Sequence, residues 1–239
     1  MPQSTADQLL SSGSQTLARG LRVLEILADA PGPLSVNELA SQLGVHRSNA
    51  YRLLRTLEEH RFVVRRKDGL IRIGPKLTVL ARGVAPGLAE AANGPIAELA
   101  NSLGMTVFVA ILDDDEVITI ASAEPANANV SISRKPGTKH SVLIGAPGHT
   151  LEAELSPKER ETILGSRIYS AGAELARKKG YAESFNEVID GVCSISVPLS
   201  VAGEALAAVA LVHFSRPKNP EELADELLLT AAKISQNYH

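Results

Sequence analysis

The stretch that most constrains this chain is Ser35 to His60, SVNELASQLGVHRSNAYRLLRTLEEH. It carries the marks of two short helices around one tight turn. Ser35 is placed to cap the first helix, Val36 to Leu43, and Glu38 three residues on completes a capping box that satisfies backbone N–H groups left open at the helix start. Gly44 comes where the chain must stop and reverse, because glycine takes positive φ without a Cβ clash. In the second helix, about Arg47 to His60, Ala50, Leu53, Leu54 and Leu57 repeat at helical spacing and form one apolar stripe. Arg47, Asn49, Tyr51, Arg52 and Arg55 lie mainly off it. A helix with a buried leucine seam and an arginine, asparagine and tyrosine face, just after a helix and a glycine turn, is what a helix-turn-helix needs to enter a DNA major groove.

An amphipathic helix with a solvated basic face would look the same in isolation. Residues 62–73 separate the two. Phe62 to Arg66 is a short β-prone run, Asp68-Gly69 is a hairpin turn signal, and Leu70 to Ile73 is a second run. The pair makes a wing carrying Arg65, Arg66, Lys67 and Arg72, so the region reads as a winged helix-turn-helix. Arg47, Ser48, Asn49, Tyr51 and Arg52 are the candidates for base edges, since arginine reads guanine and asparagine reads adenine by paired hydrogen bonds. Arg55, Arg65, Arg66, Lys67 and Arg72 are candidates for phosphate. Ser35 and His46 complete the DNA-binding set.

The distribution of charge fits. Between Ser14 and Lys76 there are 11 Lys and Arg against 6 Asp and Glu, whereas from Leu77 onward there are 13 against 20. A basic front suits contact with phosphates, and an acidic rear does not. Aromatic residues make up 3% of the chain and Trp is absent, which argues against stacking on single strands. Cys193 is the only cysteine, so there is no intrachain disulfide and no four-thiol zinc site. The six histidines are scattered, and no metal or cofactor is expected. With no signal peptide and no long apolar run, a cytoplasmic location and no membrane contact are expected.

Along the chain, residues 1–13 read as a polar, disordered arm. Ser14 to Ala30 is a helix with Leu17, Leu21, Leu24 and Leu27 or Ala28 in register; Val23 and Ile26 widen its stripe, which fits simple packing on the 36–60 pair or, for part of the helix, contact with a second subunit as well. The winged domain spans 14–76. Residues 77–92 read as a linker helix interrupted at Pro86-Gly87, and Pro95 to Leu103 as a separate short helix. In the second domain, 93–239, strands are expected at Thr106 to Leu112, Val117 to Ala123, Asn129 to Arg134, Gly191 to Leu199 and Ala205 to Phe214. Helices are expected at about 157–164, 170–179 and from Asn219 onward. The acidic turn Asp113 to Glu116 reads as a solvated hairpin tip. Strands at both ends with helices between and after give an α+β sheet with helices on its face, a frame suited to a small-molecule pocket.

Taken together, the residues resemble the IclR family of bacterial transcriptional regulators, from about Thr16 to the final helix. LARGLRVLEIL, LSVNELASQLGVHRSNAYRLLRTLEEHRFV, the wing and IGPKLTVLARG resemble the family's DNA-binding domain. GTKHSVLIGAPG resembles its pocket loop, with Gly137 and Gly148 eleven apart, and GYAESFNEVIDGVCSISVPL resembles the motif before and within the next pocket strand. The resemblance implies a GAF-like C-terminal effector-binding domain. It also implies a dimer through the N-terminal domains, a dimer of dimers through the effector domains, and two wings and two recognition helices on a pseudo-palindromic double-stranded DNA operator.

The implied effector residues are Ser141, Leu143, Ile144, Gly145, Ala146, Glu183, Ser184, Cys193, Ser194, Ala210 and Val212. Several depart from the family pattern. Ser141 and Leu143 stand where proline and histidine are usual, His149 replaces a lysine, and Ala210 and Val212 replace serines. The pocket is therefore expected to be less polar than one for a small keto acid, and its effector a larger or more apolar molecule such as an aromatic acid or its derivative. A repressor released by effector is the expected mode, and the chain is not expected to be an enzyme. Two alternatives stand beside this: a C-terminal domain that only oligomerises, and an enzyme with Ser194 or Cys193 as nucleophile approached by His140, His149 or His213. The absence of a G-x-S-x-G elbow speaks against the enzyme.

Overall fold

The computed structural model describes residues 13–127, 132–214 and 217–238. The expected arm therefore lies almost wholly outside the described residues. The chain divides after Val84 into two compact units.

In the first unit, α1 (Gln15–Asp29), α2 (Val36–Gln42) and α3 (Arg47–Glu59) precede a hairpin of β1 (Val63–Arg65) and β2 (Ile71–Ile73). Ser35 caps α2 by the predicted box: its Oγ accepts from Glu38 N–H at 3.3 Å, and its own N–H donates to Glu38 Oε2 at 2.7 Å. Gly44 takes φ of 64° in the turn before α3. β1 and β2 pair antiparallel, Val63 opposite Ile73. Leu34 bridges the other edge of β2, exchanging both backbone hydrogen bonds with Ile71 at 2.9 and 2.7 Å. That bridge fastens the wing to the loop between α1 and α2.

The core of this unit joins Val23, Ile26 and Leu27 to Leu39, Ala50, Leu54, Val63 and Ile71. This corrects the expected stripe of α1. Its inward face runs through Gly20, Val23, Ile26 and Leu27, while Leu17 and Leu21 are exposed. Period alone allows either stripe on a helix this rich in leucine; what α1 packs against selects one.

The expected connector also divides. Residues Lys76–Ala81 form α4, and one longer helix, α5, runs from Pro86 to Leu103. The break falls at 82–85, where Ala85 sits at a left-handed φ of 39°. Pro86 opens α5, where its missing N–H costs nothing. Pro95, read as a new start, lies inside α5 instead. Burial of Leu88, Ala91, Ala92, Pro95, Ile96 and Leu99 along one face offsets the lost backbone hydrogen bond, typically about 3 kcal/mol in an exposed helix.

The second unit is one antiparallel sheet in the order β5-β4-β3-β8-β7-β6, with β3 (Thr106–Asp113), β4 (Glu116–Ala123), β5 (Lys139–Ser141), β6 (Ala182–Phe185), β7 (Cys193–Leu199) and β8 (Ala207–His213). Both faces are covered. Val107, Val109, Ile195, Val197, Val209 and Leu211 pack with α5 and with α9 (Pro220–Asn237). Phe108, Ala110, Ala208, Ala210 and Val212 face the other way, toward Leu151 of α6 (Gly145–Glu154). Strands buried on both faces read as continuous apolar runs, which is why TVFVAIL and AAVALV were legible. Two further helices, α7 (Pro157–Leu164) and α8 (Ala171–Lys179), come after α6.

The expected strand at 129–134 falls partly on residues 129–131, outside those described, and 132–134 lie in no strand. The outer strand on that side is β5, which pairs with β4. β6 was not expected, because AESF shows no apolar alternation; its pairing with β7 alone makes it a strand. Asp113 to Glu116 is the tight β3–β4 turn, and among the described residues no group of acidic, His and Cys side chains is arranged to hold a metal.

Candidate DNA-binding face and ligand cleft

Helix α3 buries Ala50 and Leu54 and leaves His46, Arg47, Ser48, Asn49, Tyr51, Arg52 and Arg55 exposed. No acidic residue occurs in its first three turns. The two that end it, Glu58 and Glu59, are each held by an arginine: Arg65 Nε lies 2.9 Å from Glu58, and Arg55 Nε 3.0 Å from Glu59. The outward surface of α3 is therefore basic and hydrogen-bonding near its start, as a groove-reading helix requires.

The remaining predicted residues do not form one group. Ser35 spends its hydroxyl on the capping box. Arg65 is half-buried, with its guanidinium 5.5 Å from the centre of the Tyr51 ring as well as paired to Glu58. Arg66 pairs with Asp68 at 3.1 Å. Arg47, Arg52, Lys67 and Arg72 are exposed and form no ion pair among the described residues. One cation was missed. Arg19, on α1, shares a shallow groove with Asn49 and Arg52 and another with Gly44, His46 and Asn49. Nothing in the sequence of α1 sets it apart from Arg22.

The second unit has a cleft between the sheet and the start of α6, lined by Phe108, Arg134, His140, Gly145, Pro147, Ser184, Val188, Ile189, Val192, Ser194 and Val212. Its cavity volume is about 20 Å³, room for little more than a water molecule, and its mouth is partly open to solvent, so a larger ligand requires the 188–192 wall to move outward. Ser184, Ser194 and Val212 stand on three adjoining strands in direct register. Gly145 begins α6 at φ of 79°, and a Cβ there would lie 2.8 Å from the Val188 side chain. Its N–H donates to Glu187 Oε2 at 2.7 Å, and the next N–H, of Ala146, donates to Ser184 Oγ at 3.0 Å. Glu187 also lies 2.8 Å from His149 Nε2. A helix start attracts negative charge; here the chain supplies a carboxylate of its own.

Of the eleven residues expected for effector, Gly145, Ser184, Ser194 and Val212 line the cleft. The others are placed elsewhere. Ser141 accepts from Leu143 N–H at 3.3 Å, and Leu143 and Ile144 point to solvent at 44% and 37% exposure. Glu183 pairs with Lys179 on the surface. Cys193 alternates with Ser194 along β7, and Ala210 and Ala146 are packed in the cores below. Ser194 Oγ donates to the carbonyl of Leu211 at 3.0 Å. Phe108, Arg134, His140, Pro147, Val188, Ile189 and Val192 were missed, since they come from five separate stretches that only the sheet brings together. Burial holds the His140 imidazole below its ordinary pKa, and its Nε2 is buried without a hydrogen-bond partner.

Comparison with known proteins bears on both sites. The family described as the IclR helix-turn-helix domain matches residues 16–67, and the bacterial transcriptional regulator IclR C-terminal family matches residues 85–236. The HTH-type transcriptional regulator Rv1719 of Mycobacterium tuberculosis is 30% identical over 94% of this chain and 92% of its own length. Among solved structures, an IclR transcriptional regulator from Alicyclobacillus acidocaldarius matches with a TM-score of 0.80 and 25% identity, over 95% of this chain and all of that one. An IclR homologue from Microbacterium hydrocarbonoxydans, solved in complex with 4-hydroxybenzoate, has the same fold with a TM-score of 0.77 and 23% identity, over 93% and 98% of the two chains.

Proposed function

Since the chain belongs to the IclR family of transcriptional regulators, we propose that it is a repressor that binds a pseudo-palindromic operator and leaves it when a small organic acid, aromatic or otherwise apolar, occupies the cleft of the second unit. The observation that carries the DNA half is the division of α3 into a buried seam and an exposed face bearing Arg47, Asn49 and Arg52. In this reading those three, with Ser48 and Tyr51, meet base edges. Arg19, Arg55, Arg66, Lys67 and Arg72 set affinity through phosphate, and Arg65 holds the wing against α3.

A palindrome needs two copies. Leu17 and Leu21, exposed at 63% and 51% on α1, are the residues that a second copy would cover. The residues 14–76 serve as the DNA-binding domain and 93–239 as the effector and oligomerisation domain, joined through 77–92. A ligand acts through that connector only by favouring one arrangement of the dimer over another.

The cleft supports the effector half. Its walls are apolar apart from Arg134, His140, Ser184 and Ser194, and the related Microbacterium protein holds a hydroxybenzoate. The family consists of regulators, and in this reading the Ser194 hydroxyl, which donates to the Leu211 carbonyl, serves the cleft wall rather than a reaction. The test is a gel-shift on the protein's own promoter region. Arg52→Ala is expected to weaken operator binding by about 1–3 kcal/mol, and unchanged affinity removes Arg52 from the groove. Release of the wild-type complex by an aromatic acid supports the repressor mode; tighter binding in its presence reverses it.

A further inference from the structure

The cleft contains a buried cation that no described residue balances with a negative charge. Arg134 is 5% exposed. Its Nε donates to Thr119 Oγ1 at 3.3 Å, and its Cζ lies 5.2 Å from the centre of the Phe108 ring. Those contacts place the guanidinium beside the Phe108 ring in the cleft. They do not neutralise it. Among the described residues Arg134 finds no ion-pair partner, and none of them accepts a hydrogen bond from its terminal nitrogens. Burial pulls its pKa down with no acid opposing it. A guanidinium carries five donors in a fork suited to a carboxylate, and leaving such a group buried without an anion is costly.

The other anion-attracting feature of the cleft is already filled. The N–H groups of Gly145 and Ala146 at the start of α6 are taken by Glu187 and Ser184. A ligand carboxylate arriving there would displace the chain's own carboxylate and meet like charge. At Arg134 it meets a guanidinium that no described carboxylate pairs with. The remaining walls, Phe108, Val188, Ile189 and Val212, suit a flat apolar body. His140 Nε2, buried and unpartnered on the same cleft, is free to bond a polar substituent.

We propose that Arg134 is the carboxylate anchor of this cleft, and that the ligand is an apolar monocarboxylate whose anion is held by the guanidinium rather than by the start of α6. The proposal rests on the cleft being the effector site, and its test separates the two. Thermal-shift and calorimetric titrations of the full chain would use benzoate, phenylacetate and 4-hydroxybenzoate beside the corresponding uncharged amides. At least one acid is expected to bind the wild type roughly ten-fold or more tightly than its amide, the scale of a charge-assisted paired contact. Arg134→Met should lose that preference, while Glu187→Gln should keep it. Acids and amides binding alike, or Arg134→Met retaining the acid preference, overturns the anchor and leaves the cleft as an effector site. Should neither acids nor amides bind, both fall. Should Arg134→Met not fold, Arg134→Gln, which keeps a polar group beside Thr119, is read by the same acid-over-amide ratio.

Discussion

The guanidinium of Arg65, in the first strand of the wing, lies 2.9 Å from the carboxylate of Glu58, in the last turn of α3. The pair ties the angle of the wing to the recognition helix, and Tyr51 under the same guanidinium extends the tie. It also cancels a charge that the sequence alone would count toward phosphate binding. Arg65 should therefore add little to the salt dependence of DNA binding. The double variant Glu58→Gln/Arg65→Gln is expected to leave the slope of log K against log salt unchanged. Lys67→Gln or Arg72→Gln should each lower it by about 0.9. Anisotropy titrations on duplex DNA at several salt concentrations measure this; a matching drop in the double variant would mean that Arg65 meets phosphate directly.

Glu152 is fully buried on α6 and lies 2.7 Å from Arg160 of α7, while Ser170 N–H and Oγ donate to the same carboxylate at 2.9 and 2.6 Å. Removing one member strands the other charge. Arg160→Met is expected to destabilise the second unit by about 3–5 kcal/mol. Glu152→Leu with Arg160→Met should recover a large part of that loss. Urea unfolding of the three proteins checks both statements.

A Cβ built on Gly148 would stand 2.4 Å from the carbonyl oxygen of Val142. The obstacle is backbone, so no rotamer change relieves it. Gly148→Ala is expected to cost about 1–3 kcal/mol and to push the start of α6 away from the cleft. A variant as stable as the wild type, by thermal melt, would show that the loop before α6 moves freely.

His140 and His213 are both held below their ordinary pKa, chiefly by burial. The folded chain thus binds fewer protons than the unfolded one at mildly acid pH. Their contribution is complete above the ordinary imidazole value, about 6.5, and is lost as pH falls from there through the depressed folded values. Stability measured by urea unfolding should decline as pH falls below about 6.5. The decline should be shallower in His140→Gln/His213→Gln, and an equal decline in that variant would assign it to other groups.

The DNA-binding half was largely legible because its signals are local. A capping serine, a glycine at positive φ, a 3.6-residue stripe and an Asp-Gly turn each act within a few positions. The strands TVFVAIL and AAVALV were legible for the same reason, as unbroken apolar runs. What α1 turns inward was not, since the row through Val23, Ile26 and Leu27 and the row through Leu17, Leu21 and Leu24 both satisfy the period. Nor was β6, a polar tetrapeptide that is a strand only through its partner.

Sequence by itself therefore determined that a winged helix-turn-helix precedes an α+β domain, and which face of α3 is basic. Tertiary structure decided which of those basic residues are already neutralised, as Arg65 is by Glu58, and which buried residues share a cleft. Arg134, His140, Ser184 and Ser194 come from separate segments and meet only because all six strands, from β5 through β4, β3, β8 and β7 to β6, lie side by side with α6 across them. Periodicity reports the face of one element; burial and charge balance at a site depend on all the elements that close around it, and no local pattern records them.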